Sequence, residues 1–130
     1  MNSTGCIFCD IIGGIPFREI RFENRFAIVI YDDYPVTPGH MLIIPRKHVQ
    51  SYFALTTEEK VACDELALLT YNELHTCDPS IRGFNIGING GEVAGQTISH
   101  CHIHLIPRRE GDVENPRGGV RNVIPGKGDY

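Results

Sequence analysis

The sequence predicts an α+β domain: an antiparallel sheet of about five strands, one long helix packed on a face, and a short helix near the N-terminus. Two observations carry this. Short apolar runs bounded by proline, glycine or acidic turns recur along the chain, as strands do. A single long segment opens on Thr56-Thr57-Glu58-Glu59, a pattern in which Thr56 and Glu59 close a helix start from both sides. With 130 residues the chain has the size of one domain, so residues 1–130 form a single unit and residues 108–130 its C-terminal tail.

In order, Cys6 to Ile12 makes a short helical turn, stopped by Gly13-Gly14 and kept from continuing by Pro16. Arg18 to Phe22 and Arg25 to Tyr31 read as a hairpin joined at Glu23-Asn24. Asp32 to Gly39 breaks it, and His40 to Pro45 is the next strand. The long helix runs from its Thr56 cap to Cys77-Asp78-Pro79, with Ala62, Leu66, Leu69 and Glu73 in line and Val61, Leu68 and Leu74 widening the apolar stripe toward the sheet. Phe84 to Asn89 alternates as a strand and returns through Gly90 to Gly95 into Gln96 to Pro107, its antiparallel partner. The Arg- and Gly-rich tail has the composition of a mobile surface loop.

A net charge of -4 and a pI near 5.8 argue against indiscriminate binding to nucleic acid or to an anionic membrane, and leave small phosphorylated ligands open. The N-terminus has no basic start and no 18-residue apolar run follows anywhere, so a soluble, cytoplasmic chain is expected. Five cysteines do not make a disulfide framework, and reduced thiols are the expectation.

Chemistry concentrates in Gln96 to Pro107. His100, His102 and His104 alternate, so as a strand they share one face while Cys101, Ile103 and Leu105 point to the other. Imidazole is largely neutral and nucleophilic at pH 7. A solvated edge-strand face and a three-histidine catalytic metal site compete with a nucleophilic site here. Gly95-Gln96-Thr97, a turn presenting polar groups just before the run, favours the last. His-x-His-x-His followed by apolar residues resembles the signature of the histidine triad (HIT) family of nucleotide hydrolases and transferases. Pro38-Gly39-His40 leading into an apolar strand resembles that family's second block, and the likeness extends from Cys6 to Pro107.

The resemblance implies cleavage of AMP or GMP derivatives at the α-phosphorus through a covalent nucleotidyl-histidine. His102 would be the nucleophile, with His40 and His104 completing the catalytic pocket. Asp32 would hold the ribose hydroxyls, Asn89 and Gln96 the α-phosphate oxygens, and Thr97 the phosphate or leaving group. Phe8 would line the nucleobase slot or simply fill the core. Cys6-x-x-Cys9 alone is weak evidence, with buried thiols or a redox pair as alternatives. Joined by His48 and His100 it makes the Cys2His2 set that several HIT proteins carry, implying structural zinc and no catalytic metal. A homodimer through the long helix and the Phe84 to Asn89 strand is also implied. The tail arginines tilt the leaving group toward dinucleoside polyphosphates, with purine nucleoside phosphoramidase activity and a non-catalytic nucleotide-binding scaffold as alternatives.

Overall fold

The structure, a computed structural model, describes residues 4–130. Its elements are α1 (Ile7–Ile12), β1 (Phe22–Glu23), β2 (Ala27–Tyr31), β3 (Met41–Pro45), α2 (Thr57–Cys77), β4 (Ile81–Ile88) and β5 (Ile103–Arg109). The five strands form one sheet in the order β1-β2-β3-β5-β4, every neighbouring pair antiparallel. This is the α+β architecture expected from the sequence.

Alternation along the two central strands explains why both faces of the sheet are covered. Ala27, Val29, Met41, Ile43 and Ile103 pack with Cys63 and Leu66 of α2 on one face. Ile28, Ile30, Leu42 and Ile44 pack with Phe8 and Ile11 of α1 on the other. A strand buried on both sides reads as a continuous apolar run, as Ala27 to Ile30 and Met41 to Ile44 do. The long helix starts as expected: the Thr56 hydroxyl accepts from the Glu59 N–H, and the Glu59 carboxylate accepts from the Thr56 N–H at 2.8 Å.

Three details depart from the sequence reading. The hairpin strands are shorter: β1 is Phe22–Glu23, and β2 starts only at Ala27 because Asn24 makes the turn itself. Its side-chain oxygen accepts from the N–H groups of Phe26 and Ala27, and its amide donates to the Ala62 carbonyl of α2. The packed face of α2 is also different: Ala62, Cys63, Leu66 and Thr70 are buried, whereas Val61, Leu68 and Leu69 are half exposed or more. At 100° per residue the centre of the buried face lies roughly 45° round from the expected line, which shares Ala62 and Leu66 with it. Thr70 tolerates burial because its hydroxyl donates to the Leu66 carbonyl at 2.7 Å.

The third departure concerns the histidine strand, where the β-ladder begins only at Ile103, paired with Ile43. Continued in the same register it would set Cys101 against Pro45, and proline has no N–H to give to a ladder. The chain leaves the sheet there, and the Cys101 N–H donates instead to the Val49 carbonyl at 2.7 Å. At its other end β5 runs two residues past Pro107, into the segment assigned to the tail.

Leu66, 1% exposed between α2 and the sheet, tests the corrected helix face. Leu66→Ala should lower stability by about 2–5 kcal/mol in urea denaturation, whereas Leu69→Ala, on the half-exposed side, should cost less than about 1 kcal/mol.

Candidate active site and metal cluster

β2, β3 and β5 bring their ends together on the α1 face of the sheet. Asp32 follows β2, His40 precedes β3, and His104 pairs across the ladder with Leu42. Glycine is required at position 39, where φ is +90° and a Cβ would lie 3.3 Å from both the Leu74 and Pro107 side chains. That close approach seats His40 over the sheet. His40 is buried, and its Nε2 lies 2.9 Å from His104 Nδ1 and 3.4 Å from Asp32 Oδ2.

The alternation of the triad survives even though two of its histidines precede the ladder. Ile103 faces α2, while the His102 and His104 rings sit 5.2 Å apart between centroids on the α1 side. His102 Nδ1 is 2.8 Å from the His100 carbonyl oxygen. A carbonyl can only accept, so the proton is on Nδ1 and the Nε2 lone pair is free. His102 is therefore held in a single nucleophilic tautomer. Phe8, 3% exposed, packs edge-on to its ring at 5.0 Å and is a core residue that shapes the site floor.

His100 is directed elsewhere. Its Nε2 donates to the Pro45 carbonyl at 2.7 Å, the group that the interrupted ladder leaves open, and so its Nδ1 carries a lone pair. That nitrogen lies 3.4 Å from Cys6 Sγ, 3.5 Å from Cys9 Sγ and 3.2 Å from His48 Nδ1, and Cys9 Sγ is 3.2 Å from His48 Nδ1. Four ligand atoms at tetrahedral Zn–N and Zn–S lengths would be about 3.3–3.8 Å apart, so this set fits a divalent ion with little adjustment. Burial pushes the Cys9 thiol up to about 11 and depresses the His100 pKa, so both are neutral at pH 7 and a bound cation would displace the Cys9 proton. His102 belongs to neither metal-capable group among the described residues, and the three imidazoles do not converge on one ion. The triad is split between two tasks.

The remaining expected residues fall around the rim. Thr97 and Ser99 are exposed. Asn89 lies beside Gly95, where a Cβ would be 4.0 Å from its amide nitrogen. Gln96 is buried and fully engaged, donating to the Gln50 and Ile98 carbonyls and accepting from the Gly91 N–H. It pins the loop that carries Thr97 and presents no free donor to a ligand. The tail arginines nearest the site are engaged as well, Arg108 with Asp112 and Asn85, Arg109 with Asp78 and Ser80. Arg117 and Arg121 both lie against the Tyr130 ring. The tail is thus held by contacts of its own. What the sequence could not name are the carbonyls of Pro45 and His100, since a backbone group leaves no signature in residue type.

The HIT domain family model matches residues 18–111. The chain belongs to the histidine triad family. An uncharacterised HIT-like protein of Methanocaldococcus jannaschii is 35% identical over 119 residues, 91% of each chain. An adenylylsulfatase of Arabidopsis thaliana is 36% identical, covering 82% of this chain and 54% of its own length. An adenosine 5'-monophosphoramidase of Schizosaccharomyces pombe is 31% identical over 79% and 74%. Among solved structures, a zinc-bound histidine triad family protein from Mycobacterium smegmatis superposes with a TM-score of 0.78 at 32% identity, over 85% of this HIT chain and 80% of that one. No helix among the described residues of this HIT protein is long and apolar enough to cross a membrane.

Proposed function

We propose that this HIT protein is a nucleotidyl hydrolase or transferase that attacks the α-phosphorus of a nucleoside 5'-phosphate derivative with His102 Nε2. The observation that carries the reading is the 2.8 Å contact between His102 Nδ1 and the His100 carbonyl. As Nε2 gives its lone pair to phosphorus the ring becomes cationic, and the carbonyl dipole at Nδ1–H stabilises that charge. The leaving group departs with the bonding pair, an amine taking its proton from solvent at the exposed Thr97–Ser99 side. Water then attacks phosphorus, the P–N bonding pair returns to His102, and the water proton passes to solvent. On this reading Asp32 at the end of β2 would hold the ribose, and Asn89 and Thr97 the phosphate oxygens, while Gln96 would act by shaping the loop.

The ion pairs of Arg108 and Arg109 occupy the guanidiniums on which a preference for dinucleoside polyphosphates would depend. A small leaving group is the better fit, in keeping with relatives named adenylylsulfatase and adenosine 5'-monophosphoramidase. For adenosine phosphoramidate and adenylyl sulfate, kcat/KM should exceed that for diadenosine polyphosphates at least tenfold, about 1.4 kcal/mol of transition-state preference. His102→Ala should lose several orders of magnitude in kcat and keep AMP affinity within about tenfold. Turnover surviving in that variant would remove His102 from the chemistry.

The Cys6, Cys9, His48 and His100 set is assigned to structural zinc. Four protein ligands leave no open position, so the ion would fasten α1 to the segment before β5 and supply no reacting group. Elemental analysis should give one zinc per chain. Stripping it should lower the melting temperature, and added zinc should restore it. A chain purified without chelator that lacks zinc and ignores added zinc would contradict the assignment.

A homodimer would cover the apolar surface that the fold leaves open: Val61, Leu68 and Leu69 on α2, and Ile86 and Ile88 on the edge strand β4. Light scattering should return twice 14.5 kDa at micromolar concentration, and Leu68→Glu should shift it toward the single-chain mass. A wild-type monomer across that range would refute the dimer.

A further inference from the structure

Asp32, His40 and His104 bring three potential ligand atoms within 4.8 Å of one another, an arrangement that would hold a metal as readily as a proton. A backbone group decides between them. The Val36 N–H donates to His40 Nδ1 at 3.0 Å. An N–H can only donate, so His40 Nδ1 must be unprotonated, and the neutral ring carries its proton on Nε2. A ring nitrogen bearing hydrogen is no metal ligand. It is a donor, aimed at His104 Nδ1 at 2.9 Å. By the same logic His104 Nδ1 accepts, and the proton of His104 sits on its Nε2.

We propose that Val36 is the positioning residue of this site. Its N–H locks His40 and, through it, His104 in the Nε2–H tautomer, so that His104 meets the phosphoryl group as a neutral hydrogen-bond donor and the cluster excludes a metal ion. The proposal rests on the phosphoryl-transfer reading for its consequence, while the tautomers follow from geometry alone. The loop that holds Val36 is itself fastened. The Thr37 hydroxyl donates to the Pro107 carbonyl of β5 at 2.7 Å, the His40 N–H donates to the Thr37 carbonyl, and the Tyr34 N–H donates to Asp32 Oδ1 at 2.8 Å. Asp32 Oδ2 is left beside both rings, 3.4 Å from His40 Nε2 and 3.8 Å from His104 Nδ1.

The electrostatics agree. Burial holds His40 and His104 below the ordinary histidine range, against the opposing pull of Asp32. For His104 the neighbouring His102 and His40 add to the depression. Both rings are therefore neutral at pH 7. Protonating His40 would require a hydrogen on Nδ1, where the Val36 N–H already points. Protonating His104 would set two N–H groups against each other, with Asp32 Oδ2 the acceptor beside them. A neutral imidazole N–H in a preorganised position stabilises developing charge on a phosphoryl oxygen with little reorganisation.

The test is long-range proton–nitrogen correlation NMR on the 15N-histidine protein as purified, with His40→Asn and His104→Asn for assignment. At pH 7 both rings should show the Nε2–H tautomer, and added Zn2+ beyond the structural equivalent should not shift them. An Nδ1–H tautomer or an imidazolium at either position, or His40 signals that move with added zinc, would overturn the proposal. Val36→Pro removes the N–H: His40 should become a mixture of tautomers with a higher titration midpoint, and kcat/KM should fall at least tenfold with AMP affinity within about threefold. Asp32→Asn should move the midpoints the opposite way, to lower pH. If Val36→Pro does not fold, Thr37→Val loosens the same loop and should shift the His40 tautomer, with Thr37→Ser restoring it. Folded variants that keep the wild-type tautomer and midpoint would show that Val36 is not the lock. The spectra need no substrate. Correct tautomers without turnover on any nucleotide would leave the lock standing and remove the proposed function, whereas turnover with an Nδ1–H His40 would do the reverse.

Discussion

His100 is the residue on which the rest of this site depends, because three of its groups are used at once. Its ring Nε2 donates to the Pro45 carbonyl, its Nδ1 enters the Cys6–Cys9–His48 cluster, and its backbone carbonyl receives the His102 Nδ1 proton. The orientation of the His102 ring is thus coupled to the end of β3 and to the N-terminal helix. A rotation of the His100 ring would break the Pro45 bond and turn a lone pair away from the cluster. Displacement of its backbone would free the tautomer of His102. Buried polar groups that satisfy one another in this way hold a single geometry, since every alternative leaves a donor or acceptor unpaired.

The same economy governs the sheet. β2 and β3 are buried on both faces, so the only places where polar chemistry can meet solvent are the strand ends. Asp32, His40 and His104 all lie there, and Gly39 lets the chain pass close enough to Leu74 and Pro107 to bring His40 in. Val61, Leu68 and Leu69 on α2 and Ile86 and Ile88 on the edge strand β4 are the apolar side chains these two elements leave exposed.

Much of this was legible in the residues. The capping box located the start of α2 to the residue, because a cap is a local hydrogen-bond pattern between side chains and backbone three positions apart. The apolar runs located β2 and β3. The alternation of His100, His102 and His104 puts three imidazoles on one face, and the family resemblance picks out Cys6, Cys9, His48 and His100, the four residues that the fold brings within 4.8 Å of one another. The face of α2 was legible in part: Ala62 and Leu66 of the expected line meet the sheet, whereas Leu69, roughly 60° round the helix from Leu66, and the apolar Val61 and Leu68 fall on the exposed side, and nothing local says how far the buried stripe extends. The arginines after Pro107 looked available for phosphate because Asp78, which holds Arg109, comes near only once β4 and β5 pair, and because Asp112 reaches back four residues to Arg108 only when the chain turns at the end of β5.

By itself the sequence determined which side chains exist to do the chemistry and the period that puts them on a common face, since both follow from residue identity and the geometry of extended chain. Only the tertiary structure decided what each imidazole is. Which ring nitrogen carries the proton is set by whether a carbonyl or an N–H faces it. Those partners are the backbone groups of Pro45, His100 and Val36, whose donor or acceptor character is the same in almost every residue and whose position is fixed by the fold alone.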